Sequence, residues 1–297
     1  MFSKKLSRFL ILAYALSWII AAILYLSGLY TNKLAASLAL GLYMLMPAVA
    51  VIILEKKVYG KPLKDTMALR FSWNGWWWLA WLSPVFFALA VLGVNLTFPN
   101  IHYSPDMAGI FERFADMLSP EQLEEMKNQE LPLHPFWLTL IQGLIAGITL
   151  NALMALGEEM GWRGFLYREF HQLSFGKAGI IMGTLWGLWH APIILKGHNY
   201  PQHPVAGVFI MILWCIFLTP AHLLLRAKAK SVIAPAILHG TINGTAGLPL
   251  ILIAGGNDLT TGATGLPGFI VLLIINSIIF GIWSPKLSLA KLEAGES

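Results

Sequence analysis

LPLHPFWLTLIQGLIAGITLNALMALGEEMGWR, residues 131–163, is the stretch that decides the fold. From Leu131 to Gly157 it carries no Asp, Glu, Lys or Arg, and it then meets two adjacent carboxylates, Glu158 and Glu159, before Arg163. At ~1.5 Å rise per residue, the uncharged run is long enough to cross a hydrocarbon core of ~30 Å. Seven further stretches are equally free of charge: 9–32, 34–54, 71–105, 178–195, 197–225, 231–257 and 259–285. One helix is expected in each. The chain therefore reads as an all-α, polytopic membrane protein with about eight transmembrane helices.

Composition agrees with this reading. Of 297 residues 57% are hydrophobic and only 12% charged, and the mean hydropathy is +0.67. So little charge cannot cover a globule of this size in water, which excludes a soluble enzyme, a disordered chain and a coiled coil. One cysteine, Cys215, excludes a disulfide scaffold and a cysteine-rich metal site. The first uncharged stretch follows Lys4, Lys5 and Arg8 and is too long for a cleaved signal, so it is expected to be retained.

The net charge of +5 is explained by topology, and no nucleic-acid partner is expected. Lys and Arg number three at the N-terminus, five in 55–70, three in 163–177, three in 226–230 and two at the C-terminus. The alternate loops hold Lys33, Arg113 with Lys127, Lys196, and none. The split alternates at every crossing, which puts both termini in the cytosol of a cell-membrane protein and requires an even number of spans. A single integral-membrane domain over 1–297 is expected. Its parts are three spans in 1–130 with an outer acidic cap at 99–135, a motif-bearing core at 131–257, and a last span with a cytosolic tail at 258–297.

The cap contains Asp106, Glu112, Asp116, Glu121, Glu124, Glu125 and Glu130. Within it Ser119-Pro120-Glu121-Gln122 reads as a helix start. Trp73, Trp76, Trp77, Trp78 and Trp81 suit an interfacial belt, and Gly255 to Gly268 reads as a loose outer loop.

Polar groups inside spans are costly, so their positions carry the functional information. Glu159 and Arg163 are i,i+4 and can pair, while Glu158 points about 100° away round the helix. In the fifth span Trp186 and His190 share a face, and in the seventh His239 and Asn243 do. Pro235 can bend the helix just before His239, and Gly240, Gly244 and Gly247 permit close helix approach. Two carboxylates, two histidines and an amide thus fall at one depth on spans four, five and seven, and a pocket is expected between them. His222, on the sixth span, is a weaker candidate for its border.

No Ser, Cys or Thr sits in a nucleophile-like motif, and there is no H-E-x-x-H. A glutamate beside a histidine can instead activate water, and a second histidine with an amide can donate to an oxyanion. Glu158 with His190, facing His239 with Asn243, would supply both halves of peptide hydrolysis. No cofactor is expected; zinc stays open as an alternative, with Glu158, His190 and His239 as its three ligands.

Glu158-Glu159-x-x-x-Arg163, Trp186-x-x-x-His190 and His239-x-x-x-Asn243, in that order, resemble the motif set of the CPBP family, the CAAX proteases and bacteriocin-processing enzymes also called Abi proteins. The family usually has Phe where Trp186 stands. The resemblance implies an intramembrane endopeptidase with its pocket open to the cytosol and a membrane-anchored peptide or protein, prenylated or bearing a leader, as substrate. It implies that Glu158 and His190 activate water, that His239 and Asn243 hold the oxyanion, and that Glu159, Arg163 and Trp186 support them. Two other readings remain: a proton- or cation-linked transporter using the same buried groups, and a non-catalytic peptide-binding or immunity protein of the same fold.

Overall fold

A computed structural model describes residues 3–71, 73–114, 119–129 and 131–296. Every uncharged stretch yields at least one helix. In chain order these are α1 (Lys4–Leu26), α2 (Lys33–Ile52), α3 (Gly75–Asn95), α4 (Pro135–Ile148), α5 (Leu150–Glu159), α6 (Phe175–Trp189), α7 (Pro204–Lys228), α8 (Ile233–Thr245) and α9 (Leu266–Ile282). Ser3, Asn32 and Asn74 cap the first three, each accepting a hydrogen bond from a backbone N–H of the first turn.

Helix length divides the set. α1, α2 with its continuation to Val58, α3 and α7 are each long and apolar enough to cross a membrane alone. α4 and α5 qualify only as a pair, bent by 50°. α6, α8 and α9 have 15, 13 and 17 residues, short of the ~20 that a straight span needs. Length alone thus accounts for up to five of the eight crossings read from charge.

Three local expectations are corrected. The stretch 131–157 is two helices, not one: Thr149 leaves helical geometry at φ −120°, ψ −107°, and its hydroxyl bonds back to Ile145 O at 2.7 Å. Pro235 does not bend α8, because it falls in the first turn, where the missing N–H has no intrahelical partner to lose. The loop between Gly255 and Gly268 is not loose. Asn257 caps a turn through Leu259 N and Thr260 N, Thr261 and Ala263 are buried, and Gly262 N donates to Asn95 Oδ1 at 3.2 Å. The helix expected after Ser119 spans Pro120–Asn128 with both bonds of a capping box, whereas Asp116 and Glu130 lie outside the described residues.

The connecting segments fall into two groups, each tied together internally. On one face Glu55 accepts from Lys5 Nζ at 2.6 Å and from Arg168 Nη2 at 2.7 Å. There also Ser231 Oγ bonds Arg70 O, Phe175 N bonds Leu287 O, and Ala290 N bonds His171 O. On the other, a two-stranded antiparallel ladder pairs β1 (His102–Tyr103) with β2 (Ile253–Ala254). That face also has Arg113 Nη2 on Gly255 O, His203 Nδ1 against Asp258 and Tyr200 OH on Thr264 O. The first group is the one rich in Lys and Arg; the second is the one poor in them.

Candidate active site

Three short helices and one π-helical turn bring the polar motifs together. α5 ends at Glu159 and runs directly into Met160–Leu166, a wholly buried stretch with π-helical bonding that contains Arg163. Such widened turns occur mostly at functional positions, because each leaves backbone groups out of register. α8 lies close against α5: a Cβ at Gly240 would sit 2.6 Å from Ala152 N, and Asn151 Nδ2 bonds Gly240 O at 3.2 Å. α6 lies as close against α7, where a Cβ at Gly187 would meet Ile212 Cα at 2.4 Å. Only glycine permits these approaches, and they fix the depth of His239 and His190 respectively.

The two carboxylates part company. Glu158 faces a cavity of ≈ 340 Å³, whose lining also includes Trp186, His190, His239 and Asn243. Its Oε2 accepts from Trp186 Nε1 at 2.7 Å. Glu159 lies behind that wall at 0% exposure, and its Oε1 accepts from Arg163 Nη1 at 3.2 Å and meets His239 Nδ1 at 3.0 Å. His239 therefore joins the two layers, with one edge on Glu159 and the ring at the cavity.

Trp186 stands at the centre. The Arg163 guanidinium lies 4.2 Å from its ring centroid, and the rings of His190, His222 and His239 surround it at 5.9, 5.4 and 5.3 Å. Its indole N–H and its electron-rich face thus hold Glu158 at the edge and Arg163 over the ring of one side chain. His190 ends α6, and its Nδ1 lies 2.9 Å from Trp186 O. That contact assigns the proton to Nδ1 and leaves the Nε2 lone pair as an acceptor.

All seven residues singled out by motif, Glu158, Glu159, Arg163, Trp186, His190, His239 and Asn243, are brought to this one region. His222 joins it from the rear, fully buried, with Nδ1 on Leu218 O and with Nε2 unpartnered. Thr219, one turn before it, accepts from Arg163 Nη2 at 3.2 Å. Sequence reasoning passed over Thr219, and its only local signal is the i,i+3 spacing to His222.

Among the described residues, the potential metal ligands whose donor atoms all lie within 4.8 Å of one another are Glu159, His222 and His239, a different trio from Glu158, His190 and His239. The trio is a poor fit for zinc. Its single carboxylate is already engaged by buried Arg163, so a dication would place three positive charges against the two carboxylates of Glu158 and Glu159 out of water.

None of the described residues that line the cavity comes from the basic connections. Beyond Glu158 in their direction Trp162, Arg163 and Phe165 are all 0% exposed. In the other direction its lining runs past Ala246 to His198, Asn199 and Thr264, which belong to the connections poor in Lys and Arg.

Residues 132–245 match the family described as type II CAAX prenyl endopeptidase Rce1-like, and all three motifs lie inside the match. The motif-bearing segment is thus similar to the CAAX proteases. Over 98 residues the chain is also 33% identical to CAAX prenyl protease 2 of Methanococcus maripaludis. That alignment covers 31% of this chain and 36% of the relative, so it spans about a third of each. The resemblance read from Glu158-Glu159-x-x-x-Arg163, His190 and His239-x-x-x-Asn243 therefore holds.

Proposed function

We propose that the chain is a CAAX-type intramembrane endopeptidase that hydrolyses a peptide bond of a membrane-associated substrate. The observation that carries the reading is Glu158, hydrogen-bonded by Trp186 at the wall of a cavity it shares with His190, His239 and Asn243, inside the family-matched segment. The whole of 1–297 acts as one integral-membrane domain of the cell membrane, with both termini cytosolic.

In this mechanism a water held between the Glu158 carboxylate and His190 Nε2 gives its proton to Glu158 as its oxygen adds to the substrate carbonyl carbon. The negative charge that forms on the carbonyl oxygen is met by the Asn243 amide and by His239 in its imidazolium form, whose charge Glu159 balances. Collapse of the tetrahedral intermediate breaks the C–N bond, and the proton on Glu158 passes to the leaving nitrogen. Arg163, Thr219 and Trp186 keep Glu159 and Glu158 from exchanging partners. No metal takes part.

Cleavage of membrane-anchored peptides by the purified protein tests this, with Glu158→Ala and His190→Ala compared and a strong chelator in parallel. The wild type is expected to cut with or without chelator, and both folded variants are expected to be inactive. Activity lost to chelator and restored by zinc would overturn the metal-independent mechanism. Failure of the wild type to cut a broad peptide library would move weight to transport through the same groups.

A further inference from the structure

A second cavity, of ≈ 650 Å³, lies between α3, α7, α8 and α9, against ≈ 340 Å³ for the cavity at Glu158. Its walls are apolar, and Ser83 supplies the one hydroxyl. On the open side, between α3 and α9, Leu79, Phe86, Ile274 and Ile278 are exposed; at the back Leu238 and Ile242 of α8 are buried. Along α3 the lining runs from Trp76 to Val94, ~27 Å at ~1.5 Å per residue, which is most of a hydrocarbon core of ~30 Å. An alkyl chain laid along such a groove makes dispersion contacts with both walls at once, which a chain on a convex helix surface does not.

One end of the groove is aromatic and basic. Trp76, in the first turn of α3, and Trp283, just after α9, meet edge to face with ring centroids 5.8 Å apart. Lys228 Nζ, at the end of α7, lies 5.5 Å from the Trp283 ring centroid. Ser231 Oγ donates to Arg70 O at 2.6 Å, so the connection before α3 is held beside the connection after α7. Lys230 and Arg70 are exposed and Lys228 is half-buried. Among the described residues none of the three has an acidic partner, whereas neighbouring Arg226 is paired with Glu293 at 3.1 Å. An apolar groove, a Trp pair and three free cations follow one another in the order of the groups of a phospholipid with a negative headgroup.

We propose that this groove binds one anionic phospholipid of the membrane, with an acyl chain between α3 and α9 against α8 and its phosphate at Lys228, Lys230 and Arg70. A zwitterionic lipid carries its own cation beside the phosphate and gains less from these side chains. The site bears on the chemistry through α8. Leu238 and Ile242 directly precede His239 and Asn243, and Ile242 lines both cavities. A chain packed on Leu238 and Ile242 holds His239 and Asn243 toward Glu158, so turnover depends on the bound lipid; this step rests on the peptidase reading above.

The test uses the full-length protein, purified in detergent and placed in nanodiscs. Native mass spectrometry is expected to find one phosphatidylglycerol retained per protein, and phosphatidylcholine retained roughly tenfold less. Lys228→Gln is expected to weaken retention of phosphatidylglycerol by about fivefold and to leave phosphatidylcholine unchanged. Ala90→Trp, at an exposed position of the groove, is expected to displace both lipids. Equal retention of the two lipids, or wild-type retention by Lys228→Gln or Ala90→Trp, overturns the proposal. So does release of the lipid by a prenylated peptide and not by the same peptide without its prenyl group, which would assign the groove to the substrate. In nanodiscs, adding phosphatidylglycerol to phosphatidylcholine is expected to raise peptide cleavage severalfold in the wild type and not in Lys228→Gln. Equal wild-type cleavage with and without it refutes the coupling through Ile242. A wild type that cuts in no lipid refutes the peptidase reading, and the retention measurements still decide the lipid site.

Discussion

The long helices and the short ones divide the work of this protein. α1, α2, α3 and α7 are each long and apolar enough to cross a membrane alone, and each leaves large apolar side chains exposed. α5, α6 and α8 are 10, 15 and 13 residues long and carry every motif residue except His190, which caps α6, and Arg163, which lies in the π-helical turn continuing α5. In hydrocarbon a helix can end only where other groups satisfy its last carbonyls. Here the long helices do so: Trp189 O, at the end of α6, accepts from Trp18 Nε1 at 3.1 Å and from the Tyr43 hydroxyl, and Leu185 O accepts from Tyr14 OH. The contrast teaches that the chemistry sits where helices stop, and that the neighbours that make stopping tolerable lie outside the matched segment.

The largest expected effect lies on the short helices. Glu158→Gln keeps the shape and the contact with Trp186 but removes the base, and peptidase activity is expected to fall by roughly 10²–10⁴-fold, read by single-turnover cleavage. Next, Arg163→Met leaves the buried Glu159 carboxylate with His239 but no arginine; a loss of about 3–5 kcal/mol is expected in thermal unfolding, partly regained by adding Glu159→Gln. A full loss in the double variant as well would show that Arg163 acts through packing against Trp186 and not through charge.

Trp186→Phe separates the two services of that side chain. The aromatic wall survives but the bond to Glu158 does not, so a drop of roughly tenfold to a hundredfold in turnover is expected, with a loss of about 1–3 kcal/mol in stability from the unsatisfied Glu158. The smallest effect is on a long helix. Ile23, 58% exposed on α1, should tolerate Ile23→Ala within about 0.5 kcal/mol and with unchanged turnover. A large effect there would break the division between the two classes of helix.

Much of this was legible in the sequence because it is local. The Glu159–Arg163 pair, the shared faces of Trp186 with His190 and of His239 with Asn243, and the separation of Glu158 from Glu159 all follow from helical spacing. The layering of the site was not legible. His239 binds Glu159 and not Glu158, and His222 approaches both Glu159 and His239, through contacts between residues distant in sequence that no periodicity encodes. The break at Thr149 left no trace in charge or hydropathy, since threonine is uncharged and tolerated in a span. The cavity lining draws Asn199 and Thr264 from two separate connections, which no single stretch of sequence records.

The donation from Tyr14, Trp18 and Tyr43 to the end of α6 has a consequence for how the protein is made. During synthesis α1 and α2 enter the bilayer first and hold three hydroxyl or indole donors that have no partner until α6 follows. They act as a waiting dock for a helix too short and too polar at its end to be inserted comfortably by itself. Expressing only the family-matched residues, 132–245, would deliver α6 to the membrane with no dock, so a minimal catalytic fragment cut at those boundaries is expected to be retained by quality control and degraded.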